Sequence, residues 1–132
     1  VLNPARQAGD QAEVEGRVRE EGERGIGNAL GGIYLQRCRG TLVGGAAAGQ
    51  GNLISGNLSN GVCILGLTAN GNVVQANSIG LRADGTTALG NSGDGIQINA
   101  ASGNIIGGTT PADRNVISSS TANDGVQIWN GA

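Results

Sequence analysis

A block of this chain repeats almost without a gap. Residues 26–57 match residues 89–120 at a shift of 63. Identical pairs include Gly32/Gly95, Ile33/Ile96, Gly44/Gly107, Asn52/Asn115, Ile54/Ile117 and Ser55/Ser118, while Leu35/Ile98, Leu42/Ile105 and Leu53/Val116 keep apolar character. One structural unit used twice is the direct reading. A finer unit lies inside it. Gly-apolar-x-apolar occurs at Gly32, Gly61, Gly95 and Gly125, at intervals of 29, 34 and 30 residues. Each interval holds two more short apolar runs: TLVGG and NLISGN, then NVVQ and NSIG, then NIIGG and NVISSS.

Runs of three to five apolar residues punctuated by Gly, Asn and Asp are too short for helices and read as strands. The spacing predicts three strands per coil, three complete coils from Gly32 to Asp124, and a fourth begun at Gly125. Alternation puts Ile33 and Leu35, Val62 and Ile64, Ile96 and Ile98, and Val126 and Ile128 on an inner face. Tyr34, Cys63, Gln97 and Gln127 then face outward. One coil cannot bury its apolar face alone; stacked coils can. The expected fold is all-β, a parallel solenoid of about 3–4 coils of roughly 30 residues, standing about 15–20 Å tall at the usual strand spacing.

Composition fits thin stacked layers. Aromatics are 2% of the 132 residues, so Ile, Val and Leu must supply the core. Gly is 26 but Pro only 2, which excludes collagen. The net charge is −2 and the eight basic residues, all Arg, are scattered, which argues against nucleic acid as a partner. No apolar run has the length of a membrane span. There is no His, which removes Ser-His-Asp and Cys-His catalysis and His-containing metal sites.

Residues 1–25 form a separate, charged segment. All five Glu lie between Glu13 and Glu23, interleaved with Arg17, Arg19 and Arg24. A charged helix capping the stack competes with a degenerate repeat. The degenerate repeat is favoured from about Gly16, because Gly16, Gly22 and Gly25 each weaken a helix by about 1 kcal/mol. Residues 26–132 are the repeats, open at the C-terminal side.

The stretch NGNVVQANSIGLRADGTTALGNSGDGIQINAASGNIIGGTTPADRNVIS resembles the repeats of right-handed parallel β-helix proteins of the pectate-lyase-like superfamily. It is most similar to repetitive secreted or surface proteins of bacteria. It departs from them at ISSS (117–120), where ISGN is usual. The resemblance implies a right-handed helix, an extracellular or cell-surface location, and a scaffold, adhesin or polysaccharide-contact role without catalysis or cofactor. The alternative it implies is a fragment of a polysaccharide lyase, hydrolase or epimerase. Polysaccharide or another surface protein is the expected partner, together with end-to-end self-association through unpaired strand edges.

Candidate site residues are few. Arg82, Asp84, Asp113 and Arg114 are the charged groups that come nearest to a catalytic set, but solvated loop charges are the favoured reading. Tyr34 and Trp129 are candidate sugar-stacking residues. Asp94 and Asp124 share a column with Gly31 and Asn60, and stacked carboxylates suit Ca²⁺. Asx-Gly is also a turn signal with its own mechanism. Asn52, Asn72, Asn77, Asn104 and Asn115 head strands and are expected in turn and ladder hydrogen bonds. Cys38 lies about 13 Å of extended chain beyond Tyr34, the neighbour of Cys63. That exceeds disulfide reach of about 7 Å, so both are expected as thiols.

Overall fold

The computed structural model describes residues 14–15, 28–118, 120 and 123–132. Eleven strands occur among them, all paired in parallel. They are β1 Val14–Glu15, β2 Ile33–Gln36, β3 Leu42–Gly44, β4 Leu53–Ser55, β5 Val62–Leu65, β6 Val73–Gln75, β7 Ser78–Ile79, β8 Ile96–Asn99, β9 Ile105–Ile106, β10 Val116–Ile117 and β11 Val126–Trp129. Sheet I has the order β2-β5-β8-β11, sheet II β3-β6-β9, and sheet III β1-β4-β7-β10. Successive coils therefore stack strand upon equivalent strand. This is a parallel β-solenoid of about three turns, with β11 opening a fourth.

The register matches the glycine-anchored repeat residue for residue. Ile33 lies beside Val62, Val62 beside Ile96, and Ile96 beside Val126. The inner columns Ile33/Val62/Ile96, Leu35/Ile64/Ile98, Val43/Val74 and Ile54/Ile79 are buried and pack into one core, with Ile106 and Ile117 against it. Each such side chain contributes about 1.5–3 kcal/mol when fully buried. A column of small residues, Cys38, Ala69 and Ala101, fills the corner between sheets I and II. The residue just after each sheet I strand has a left-handed backbone: Arg37, Gly66, Ala100 and Asn130. Asn130 tolerates this conformation, but at Arg37 and Ala100 stacking imposes the corner on residues that would otherwise avoid it, at about 1–2 kcal/mol each.

Cys63 faces outward with Tyr34 and Gln97 as expected, yet it is buried. Its small side chain sits mid-stack between those two longer neighbours, and its Sγ approaches Gln97 Oε1 at 3.6 Å. Burial pushes the Cys63 thiol pKa up. Cys38 is also buried, and neither cysteine is in a disulfide.

The competing readings of residues 16–25 lie outside the described residues. Val14–Glu15 is described, and it adds a strand beneath β4 in sheet III. At the other end, Val126 and Ile128 belong to the inner columns but are 42% and 60% exposed, since β11 is the last described rung of sheet I.

Candidate functional site

Three asparagine columns run up the corners. At the sheet II–III corner, the Asn52 backbone N–H and carboxamide both donate to Asn77 Oδ1, at 3.1 and 3.0 Å. Asn77 repeats the pattern onto Asn115 Oδ1, both at 3.0 Å. The Asn77 Nδ2 also donates to the Val43 and Gln75 carbonyls. At the sheet I–II corner, Thr41 N–H donates to Asn72 Oδ1, and Asn72 donates to Asn104 Oδ1 through both its N–H and Nδ2. A third column, Asn28–Asn57–Asn91, lies at the sheet III–I corner. Every asparagine expected in a ladder is in one. The third column has a sequence signal, because Asn28 and Asn91 are separated by the 63-residue period of the repeat.

Asp94 and Asp124 stack as the column predicted, with Gly31 and Asn60 below them. Here the hydrogen bonding runs the other way. Asp94 N–H donates to Asn60 Oδ1, and Asp124 N–H donates to Asp94 Oδ1 at 3.1 Å. The Asp94 carboxylate only accepts, so it takes the N–H of the following rung and has no side-chain donor to pass on to it, as the ladder asparagines do. Gln97 Nε2 donates to the second oxygen of the buried Asp94. Both Asp94 oxygens thus have protein donors, while Asp124 is exposed on the terminal rung. Among the described residues, no group of three Cys, Asp or Glu side chains comes together as a metal-binding cluster.

Two surface grooves border the loops. One, of about 410 Å³, is lined by Gly51 and Leu53 of coil one, Ala76 and Ser78 of coil two, and Arg82 and Gly85. It exists because residues 80–89 fold back as a small hairpin: Leu81 bridges Ala88, and Leu89 N–H reaches the Gly80 carbonyl. The second groove, of about 320 Å³, is lined by Gly107, Thr110, Arg114, Asn115 and Ile117. Arg82 and Arg114 therefore serve different grooves, and neither Asp84 nor Asp113 lines either one.

The two carboxylates are held by their own loops. Asp84 accepts the Thr87 hydroxyl and the Thr86 and Thr87 N–H groups. Those bonds, the Thr87 hydroxyl foremost, lower its pKa to about 2. Asp113 accepts the Thr110 N–H and hydroxyl at 2.9 and 2.8 Å across the 3₁₀ turn Pro111–Asp113, which also lowers its pKa. Both are ionised at neutral pH. A general acid needs a pKa raised toward the working pH, and these are shifted the opposite way.

Tyr34 and Trp129 share the outer face of sheet I but sit on its first and last rungs, in different columns. They do not form one stacking platform. Trp129 is 47% exposed. Gln97 and Gln127 continue the Tyr34–Cys63 column to the last rung, joined by a side-chain hydrogen bond of 3.2 Å.

The fold and these sites define a parallel β-solenoid repeat protein with polar corner ladders. In comparisons with known proteins, no family model matches the chain, and no curated protein or solved structure does either.

Proposed function

We propose that this chain is a non-catalytic segment of a secreted or cell-surface right-handed β-helix protein, of the pectate-lyase-like kind, acting as a scaffold, adhesin or polysaccharide contact. The observation that carries this reading is the employment of the carboxylates. Asp84 and Asp113 are engaged by threonines of their own loops, and Asp94 by Asp124 and Gln97. Among the described residues, the grooves beside Arg82 and Arg114 and the outward Trp129 are open to a partner. A guanidinium beside exposed backbone suits hydroxyl and carboxylate groups of a polysaccharide and supplies no acid–base pair.

A depolymerisation assay on neutral and uronate-containing polysaccharides tests the reading. No chain shortening is expected. Turnover that disappears in Asp84→Ala or Asp113→Ala would overturn it in favour of a carbohydrate-active enzyme.

A further inference from the structure

We infer that the groove beside Arg82 binds a sulfate ester carried on a sugar chain. The inference rests on the polysaccharide-contact reading proposed above and names the charged group that this groove takes. The groove lies within the stack, on the outer face of sheet III at β4 and β7. Both strands are paired on their two edges, since the sheet runs β1-β4-β7-β10. Leu53 of β4 and Ser78 of β7 are register partners. Alternation turns them outward, because Ile54 and Ile79 are in the core. The hairpin of residues 80–89 contributes Arg82, and the loop between β3 and β4 contributes Gly51.

Three donors that the fold leaves unused line this groove. Among the described residues nothing accepts a hydrogen bond from the Arg82 guanidinium, the Ser78 hydroxyl or the Gly51 N–H. None of the lining residues is acidic. Asp84, two residues along the chain, gives one oxygen to the Thr86 and Thr87 N–H groups and the other to the Thr87 hydroxyl. It therefore leaves the Arg82 charge without a counter-ion. The groove offers one positive charge and three donors from three separate elements. A carboxylate has two oxygens in one plane, and a guanidinium alone satisfies both. A sulfate ester has one negative charge and three terminal oxygens pointing apart, one for each donor. A phosphate monoester has as many oxygens but carries about −1.5 to −2 charges at pH 7. One guanidinium does not balance that on a chain whose net charge is −2. The volume of about 410 Å³ is more than a bare anion fills. It lies in the range of about 300–1,000 Å³ that takes a small molecule. Leu53 and Ala76 give the carbons of a sugar ring an apolar wall.

Three polymers with one backbone test this: dextran sulfate, carboxymethyl dextran of matched charge density, and uncharged dextran. Each is titrated calorimetrically into the chain at one low ionic strength, since salt screens exposed charges. Dextran sulfate is expected to bind about tenfold more tightly than carboxymethyl dextran, the usual contribution of an added hydrogen bond to a charged group. Arg82→Gln is expected to lose about tenfold or more toward dextran sulfate. Ser78→Ala is expected to weaken dextran sulfate alone and so narrow the gap between the two charged polymers. Arg37→Gln removes the same charge at the corner after β2, outside the groove, and is expected to change neither affinity. Ala83→Leu, on the exposed hairpin, narrows the groove without altering a charge. It is expected to weaken dextran sulfate as Arg82→Gln does, and it replaces Ser78→Ala if that variant loses the circular dichroism spectrum of the unmodified chain. Equal affinity for the two charged polymers would overturn the sulfate assignment. Equal losses in Arg82→Gln and Arg37→Gln would overturn the site. Uncharged dextran binding as well as dextran sulfate, unchanged in Arg82→Gln, would overturn the site and keep the polysaccharide contact. If no dextran binds, the inference and the polysaccharide contact fall together. None of these outcomes depends on the depolymerisation assay.

Discussion

Replacing Asn77 with alanine is expected to lower the unfolding free energy by about 3–5 kcal/mol, from the cost of stranding several buried polar groups at about 1–3 kcal/mol each. Asn77 is buried at the middle rung of its ladder. Its Oδ1 accepts both the N–H and the carboxamide of Asn52, and its Nδ2 serves Asn115 Oδ1 and the Val43 and Gln75 carbonyls. Alanine leaves these groups in a space that the adjacent coils keep closed. The loss is large beside a typical domain stability of about 5–15 kcal/mol. Asn115→Ala on the terminal rung is the control. Asn115 is only partly buried, so water replaces some of its bonds and about 1 kcal/mol is expected to be lost. Urea unfolding of both variants checks the contrast. Equal losses would show that the ladder is solvated and carries little of the fold.

Gly80→Ala is expected to cost about 3 kcal/mol, and Gly103→Ala about 1 kcal/mol, although both glycines are left-handed. Their φ angles are +83° and +69°. The conformational penalty of a side chain is therefore similar at the two sites. The difference lies in what the methyl group meets. At Gly80 it would overlap the carbonyl oxygen of Ser118, which belongs to the next coil. That backbone is pinned, since Ser118 N–H donates to the Ile79 carbonyl at 2.9 Å. At Gly103 nothing lies within 4 Å. Thermal unfolding midpoints are expected to fall much further for Gly80→Ala. Similar midpoints would mean that the coils do not approach as closely as the stacking requires.

The columns of the solenoid were legible because one periodicity set them all. The glycines at 32, 61, 95 and 125 anchor sheet I, and the pairing follows them without a slip. The Gly31–Asn60–Asp94–Asp124 column was legible for the same reason. Features decided by contact between coils were not. Arg37 and Ala100 take left-handed corners that neither residue type advertises. Cys63 is buried although it faces outward, because its neighbours in the stack are longer. Nor does the sequence show where the Arg82 loop lies against the stack. The Leu81–Ala88 bridge folds it back to border a groove with Gly51 and Leu53. The expectation for Asp84 and Asp113 as site residues rested on residue type and spacing. Their hydrogen-bond partners Thr87 and Thr110 lie three residues away, but nothing in the pattern distinguishes such a turn from a free carboxylate.

The account stands on parallel coils stacked in one register with polar ladders at their corners. Nuclear Overhauser contacts in the isotope-labelled chain test this most directly. Side-chain amide protons of Asn77 are expected to show contacts to Asn52 and Asn115, and backbone protons of Val62 to both Ile33 and Ile96, separations of 25 to 38 residues in the chain. Contacts confined to sequence neighbours, or the close Hα–Hα pairs of antiparallel hairpins between consecutive strands, would contradict it.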